Sequence, residues 1–193
     1  MESEVAEFLN GLAMQKHRPK EGEEFLPVLK IKELKQGKTD SSSEQCSMNI
    51  KKKYIIENGD VIFSWSGSLD VKIWCGGLAG LNQHLFKVTS EEYPKWFYYM
   101  WLNNHLQQFI RIAEDKATTM GHIKRENLSN AKVLVPDKNK FDSIDDKFKY
   151  IIDKKIELGK ECMILTQLRD TLLPKLMSGE IRVNNMSIND LAI

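Results

Sequence analysis

Apolar residues recur every seven positions near the C-terminal end of this chain: Ile144, Ile151, Leu158, Leu165 and Leu172. No other feature constrains its shape as strongly. A seven-residue repeat held over several turns lays a stripe along one side of a helix, and such a stripe calls for a partner helix. Phe148, Ile152, Ile156, Cys162, Leu168 and Leu176 widen it. Leu176-Met177-Ser178-Gly179-Glu180 ends it, with Gly179 suited to the left-handed position that follows a helix. The spacing predicts one helix over about 143–178, roughly 30 to 35 residues and about 50 Å long at 1.5 Å per residue. Pro174 predicts a kink or an early stop, because it has no amide to donate. A helix of that length exceeds what a domain of this size covers by itself. The alternative is a long surface helix packed on its own domain.

The 193 residues leave room before this helix for one sizeable domain. Val5, Phe8, Leu9 and Leu12 predict a short amphipathic helix over 1–12, ending near Asn10-Gly11. Residues 15–24 are polar and hold Pro19 and Gly22, which marks a loop. Phe25 to Ile31 reads as a strand, with Pro27 at an edge or near its start. Residues 35–48 read as a second loop. Four short runs of strand formers follow: Tyr54–Ile56, Asp60–Ser64, Val71–Trp74 and Leu85–Val88, separated by glycines. From Tyr93 to about Ala113 the apolar spacing turns helical, with Pro94 suited to the first turn. After a polar loop around Gly121 comes a predicted strand, Ala131–Val135, stopped by Pro136. The fold class is therefore mixed α/β (α+β): a globule with a twisted sheet and helices over 1–140, a long coiled-coil helix over 141–180, and a tail over 181–193.

Several function classes recede. No apolar run approaches the roughly 18 residues that span a bilayer, and the acidic N-terminus has no basic region followed by an apolar one, so no leader is expected. Cys46, Cys75 and Cys162 are odd in number and scattered, which fits a reducing cytoplasm better than a disulfide framework. Ser64, Ser66 and Ser68 do not form the Gly-x-Ser-x-Gly elbow of a nucleophile. His17, His84, His105 and His122 show no metal-ligand spacing, and His105 reads as a partly exposed helical residue. Phosphate-loop and dinucleotide motifs are absent, as is the Asn/Asp-Pro-Pro-Tyr/Phe element expected of an amino-methyltransferase. No metal and no catalytic centre is expected.

The loops are rich in the residue types that hold phosphates and read base edges. Lys16 and Arg18 lie in one, Lys38 in another, Ser64 and Ser66 in a third around Trp65, Gln83 in a fourth, and Lys116, Thr118, Thr119, His122 and Lys124 in a fifth. Any one of them is an ordinary solvated turn; their recurrence points to binding. Trp65 is expected to pack beneath its loop. The net charge of +1 gives no push toward nucleic acid. A DNA binder of this composition has to gather its cations, Lys16, Arg18, Lys38, Lys116, Lys124 and Arg125, on one face.

Taken together, these stretches resemble the specificity (S) subunit of type I restriction–modification enzymes. V-A-E-F-L-N-G-L-A-M-Q-K-H-R-P resembles the opening of a target recognition domain. G-D-V-I-F-S-W-S-G-S-L and L-N-Q-H-L-F-K-V match internal blocks, T-T-M-G-H-I-K-R-E-N-L with V-L-V-P a closing block, and L-R-D-T-L-L-P-K-L-M-S-G-E-I-R-V the helix-end signature. The resemblance implies a non-catalytic protein that reads half of a split double-stranded DNA target. It implies docking of methyltransferase (M) subunits, with restriction (R) subunits joining through them; S-adenosylmethionine, ATP and Mg2+ would be bound by those partners. In the family two recognition domains are each followed by a helix, and the helices pair antiparallel as a ruler. Here there is one of each, which makes the chain a half-subunit expected to pair with a second copy or another half. It lacks the leading Trp/Leu-Gly-Asp strand, and Asp137-Lys138-Asn139-Lys140 follows Pro136 where many relatives have Pro-Leu-x-Glu-Gln. The alternative is a degenerate half-subunit that docks M subunits without reading DNA.

Overall fold

Val61-Ile62-Phe63 is an unbroken apolar run, and a strand apolar at every position must be covered on both faces. The computed structural model, which describes residues 4–115 and 121–182, shows both covers. Strand β5 (Val61–Ser64) is buried along its whole length. Val61 and Phe63 point into one apolar cluster and Ile62 into another. Its neighbour β8 (Leu85–Thr89) does the same, with Phe86 and Val88 on the first side and Leu85 on the second.

These two strands form the centre of a four-stranded antiparallel sheet. Its order is β1 (Glu7–Asn10), β8, β5, β6 (Asp70–Ile73), with Phe8 opposite Val88 and Val61 opposite both Val88 and Ile73. On one face lies α2 (Lys95–Asp115), whose Trp96, Phe97, Leu102 and Phe109 fill the first cluster. On the other lies a second sheet, of order β3 (Gln45–Ser47), β2 (Phe25–Leu29), β7 (Ala79–Leu81), β4 (Ile55–Ile56), in which β2 and β7 run parallel. Leu29, Ile56, Leu81 and Trp74 join the two sheets, with Leu34 of the short α1 (Ile31–Gln36) beside them. A third cluster of Met14, Leu26, Val28, Cys46 and Ile50 backs the second sheet. Burial pushes the Cys46 thiol up to about 11.

The expected N-terminal helix is instead a strand. Residues 5, 8, 9 and 12 have helical spacing, but about a dozen residues make a marginal helix alone. Pairing with β8 supplies ladder bonds that β8 would otherwise lack on that side, and it seats Phe8 edge-on against Phe63 and Phe86, at 6.3 and 5.8 Å. Gly11 is where the chain crosses between sheets, its N–H on Leu85 O while the next amide donates to Leu81 O. A Cβ at Gly11 would lie 2.2 Å from Asn82 O, so only glycine fits.

Three further expectations change. The strand from Phe25 stops at Leu29, because Lys30 turns the chain into α1, where its N–H meets Glu33 Oε2 at 3.2 Å. The loop expected over 35–48 contains β3. Pro27 is tolerated in an interior strand because the Val28 amide, not that of residue 27, points toward β3, and pairing with β7 begins only at Val28. Residues 131–135 form no strand: Lys132 O accepts from His105 Nε2 on α2 at 2.9 Å, and the segment lies along the helix rather than in a ladder. Short α3 (Arg125–Ser129) precedes it.

The long helix α4 spans Lys138–Met177, 40 residues, longer than the repeat predicts. Asp137 caps its start by accepting from the Lys140 amide at 3.1 Å. The helix runs through Pro174 without the expected stop. Gly179 closes it at φ 74°, donating to Leu176 O. One side of α4 lies on the globule: Trp96 stacks on Phe148 at 4.8 Å and donates to Asp145 Oδ1 at 2.6 Å, and Ile152 is buried.

Candidate nucleic-acid interface

Four segments meet at the end of the first sheet: the last residue of β1, the loop leaving β5, the turn between β7 and β8, and residues 121–125. Ser64 starts the junction by bending the β5 loop back on itself. Its hydroxyl donates to Ser68 O at 2.8 Å and also lies near Ser66 O. Gly67, at φ 66°, makes the tight corner, and its amide donates to Gly121 O at 2.8 Å. Ile123 N donates to Trp65 O, and Ser66 and His122 bridge as in an antiparallel pair. The junction is thus held mainly by main-chain bonds, which fix where its side chains emerge.

Those side chains form a connected surface. Trp65 is half-buried, packed on Phe86 at 5.7 Å with its Nε1 donating to Asn10 Oδ1 at 3.2 Å. His84 stands against the same indole at 6.1 Å and His122 meets it edge-on at 6.4 Å. His84 Nδ1 lies 3.0 Å from Ser66 Oγ and its Nε2 lies 3.3 Å from the Gln83 amide nitrogen. Arg125 donates to Phe8 O at 3.0 Å and covers the Phe86 ring at 5.3 Å. The arrangement offers amide, imidazole and guanidinium groups from different segments on one aromatic support, chemistry suited to base edges and phosphates.

The structure therefore brings together Ser66, Gln83 and His122 of the expected site residues, with Lys124 exposed in the adjoining segment. It corrects Ser64: that side chain is 0% exposed, with its hydroxyl turned inward, and shapes the loop without reaching a ligand. Ser66 is 7% exposed, with its hydroxyl against His84 Nδ1. Lys16 is exposed at the end of a single 3-10 turn, Met14–Lys16. Arg18 pairs with Glu44 at 3.6 Å, and Lys38 with Asp170 of α4 at 3.4 Å, across a groove of about 550 Å3. Arg18, Lys38 and Arg125 are thus engaged by three different parts of the chain. Lys116, Thr118 and Thr119 lie outside the described residues. Asn10 had no site role in the sequence reading, and His84 entered it only as part of the Asn82-Gln83-His84 loop. Asn10 had a weak signal, standing just before the crossing glycine.

On α4, Ile144 leans on the globule and Leu172 is half-buried, whereas Ile151, Leu158 and Leu165 are exposed. Phe148, Ile152 and Ile156, read as part of the same stripe, turn instead to the chain's own core. Among the described residues no helix is long and apolar enough to cross a membrane.

Residues 3–166, the globule and most of α4, match the family model described as the type I restriction modification DNA specificity domain. The chain belongs to that family. It is 25% identical over 183 residues to the type I restriction enzyme EcoBI specificity subunit of Escherichia coli, covering 92% of this chain and 38% of that protein. It is also 25% identical over 170 residues to the type I restriction enzyme MjaIX specificity subunit of Methanocaldococcus jannaschii, covering 83% and 39%. The chain thus spans less than two-fifths of these relatives' length. A solved chain from a study of complex assembly and conformational transition of the type I R-M system aligns over 91% of this chain and 46% of its own, at 15% identity and a TM-score of 0.42.

Proposed function

We propose that this chain reads one half of a bipartite double-stranded DNA target for a type I restriction–modification system, without a catalytic centre of its own. The family match across both globule and helix carries this reading. The junction around Trp65, with Gln83, His84, His122 and Lys124, is the surface that meets DNA, and residues 116–120 adjoin it in sequence. The outer stripe of α4 pairs with a second copy or another half-subunit. M subunits dock on the paired chains and bring the S-adenosylmethionine, R subunits join with ATP and Mg2+, and the complex works in the cytoplasm.

Co-purification with M subunits, followed by genome-wide mapping of methylated adenine, tests this. Methylation at a two-part motif with a constant spacer is expected, together with a steep fall of DNA affinity with salt. Sequence-blind binding in that complex would sink it. A second reading, a docking element that does not read DNA, draws support from the ion pairs that occupy Arg18 and Lys38. It expects co-purification with M subunits and no motif.

A further inference from the structure

We propose that Lys51, Lys52 and Lys53 form a second contact with DNA, blind to sequence, that grips the phosphates flanking the half-site met at the Trp65 junction. This rests on the DNA reading proposed above and adds a clamp outside the junction. The three lysines are consecutive and exposed, on the 3-10 turn Lys52–Tyr54 and the residue that leads into it. The turn is fixed at both ends. Ile50 before it and Ile56 after it are buried, Tyr54 packs against the third cluster, and the Tyr54 amide donates to Lys51 O at 2.9 Å. The backbone therefore holds three like charges together, so little ordering is left for a ligand to impose. Neighbouring cations are neutralised within the chain: Arg18 and Lys30 share Glu44, Lys72 pairs with Asp70, and Lys87 pairs with Asp60 at 2.7 Å. Lys51, Lys52 and Lys53 make no ion pair among the described residues, and the Lys53 ammonium lies over the Tyr54 ring at 5.2 Å.

Their place in the fold selects the ligand. Lys52 and Lys53 line a groove of about 590 Å3 with Leu9 of β1 and Thr89 of β8. Glu7 and Glu57 line it too but pair with neither lysine. Asn10, the next residue of β1, accepts from the Trp65 indole at 3.2 Å. Successive residues of a strand face opposite sides, and β1 is the edge of its sheet. The lysine groove and the junction therefore flank one strand edge, and the residues that join them to it are one step apart, about 3.4 Å. DNA carries a phosphate about every 3.4 Å of axis on each strand. A duplex seated on the junction thus runs its neighbouring phosphates past the turn. Lysine meets a phosphate as a point charge and reads no base, which sets these residues apart from Gln83 and His122.

Fluorescence anisotropy of the full chain with its M subunits, on DNA carrying the mapped motif and on unrelated DNA, tests the clamp over about 50 to 200 mM salt. Lys51→Ala, Lys52→Ala and Lys53→Ala together should lower the slope of log affinity against log salt by about 2 to 3, because each lost phosphate contact removes about 0.9. Affinity for both DNAs should fall by the same factor, and the methylated motif should not change. Arginine at all three positions, Lys51→Arg with Lys52→Arg and Lys53→Arg, should keep the wild-type slope. Lys32→Ala with Lys35→Ala removes two exposed charges from α1 and should shift the slope by less than about 0.5. A triple-alanine variant with the wild-type slope would overturn the clamp and leave reading at Trp65 standing. An equal loss per charge in the α1 variant would overturn it as well, since net charge alone would then be the cause. A changed motif in the triple variant would mean that the turn reads bases, against the proposal. Sequence-blind binding by the wild-type complex would sink the DNA reading instead, and a slope lowered by the triple variant alone would still locate the phosphate contact here.

Discussion

The two sides of α4 share one backbone and similar residue types, yet they do different work. The inner side is irregular in size: an aromatic at 148, a buried isoleucine at 152 and no side chain at all at 159. It fits a surface that also has bumps and hollows, namely Trp96 and the Cys75 corner. The outer side is uniform, with branched aliphatics at constant spacing. Irregular packing suits a fixed neighbour within the chain; an evenly spaced aliphatic row is the pattern that helix–helix pairing uses. A heptad repeat alone does not separate the two, since residues 148, 152 and 156 look as apolar as 151, 158 and 165.

The comparison breaks most readily on the inner side. Trp96→Ala removes a buried ring, its stacking on Phe148 and its bond to Asp145. A loss of about 3–5 kcal/mol is expected in urea unfolding; a loss below about 1 kcal/mol would mean that α4 is not anchored there. Next comes Gly159. On a free helix, Gly→Ala stabilises by about 1 kcal/mol. Here the added methyl meets Cys75, and Gly159→Ala is expected to destabilise by about 1–2 kcal/mol, with Cys75→Ala giving partial relief. The sign of that change, read by thermal or urea melting, decides whether the helix is seated at this point.

On the outer side the expected effect on the folded chain is smaller. Leu158→Ala should alter monomer stability by no more than about 0.5 kcal/mol, while sedimentation shows the dimer weakened. A larger loss in the monomer would mean that this face also belongs to the chain's own core. A separate effect is alkaline. Burial pushes Tyr98 up to about 12 from an ordinary value of 10.0, and Cys46 up to about 11 from 9.0. Both groups favour the neutral, proton-bound form in the fold. Their contribution is whole below pH 9 and is lost progressively as pH rises from 9 to 12. Tyr98→Phe should flatten the upper part of that fall, measured by circular dichroism against pH.

How much of this was legible depended on where each element finds its partners. The central strand β5, the helix α2 and α4 carry their own signals: an unbroken apolar run, a broad helical face and a heptad. The strand β1 misled because helical spacing and strand pairing both satisfy four apolar residues in eight, and the choice lay with β8, some 80 positions away. Residues 131–135 misled in the opposite sense: strand formers were present, but His105 took a backbone carbonyl and no ladder formed. Ser64 has the residue type of a contact loop, and only its hydrogen bonds to Ser66 and Ser68 show that it faces inward. The ion pairs of Arg18 and Lys38 were illegible for a related reason, since Glu44 and Asp170 are remote in sequence from them.

The sequence by itself therefore determined the class of the molecule, a mixed globule with a long helical arm, and the family blocks along it. Local periodicity is written in neighbouring residues, and it survives without knowledge of the fold. The tertiary structure alone decided which side of α4 packs on the globule, which loops join at Trp65, which serines turn inward and which cations are ion-paired. Each of those outcomes is set by burial or by an ion pair between residues far apart along the chain, and no local pattern encodes them.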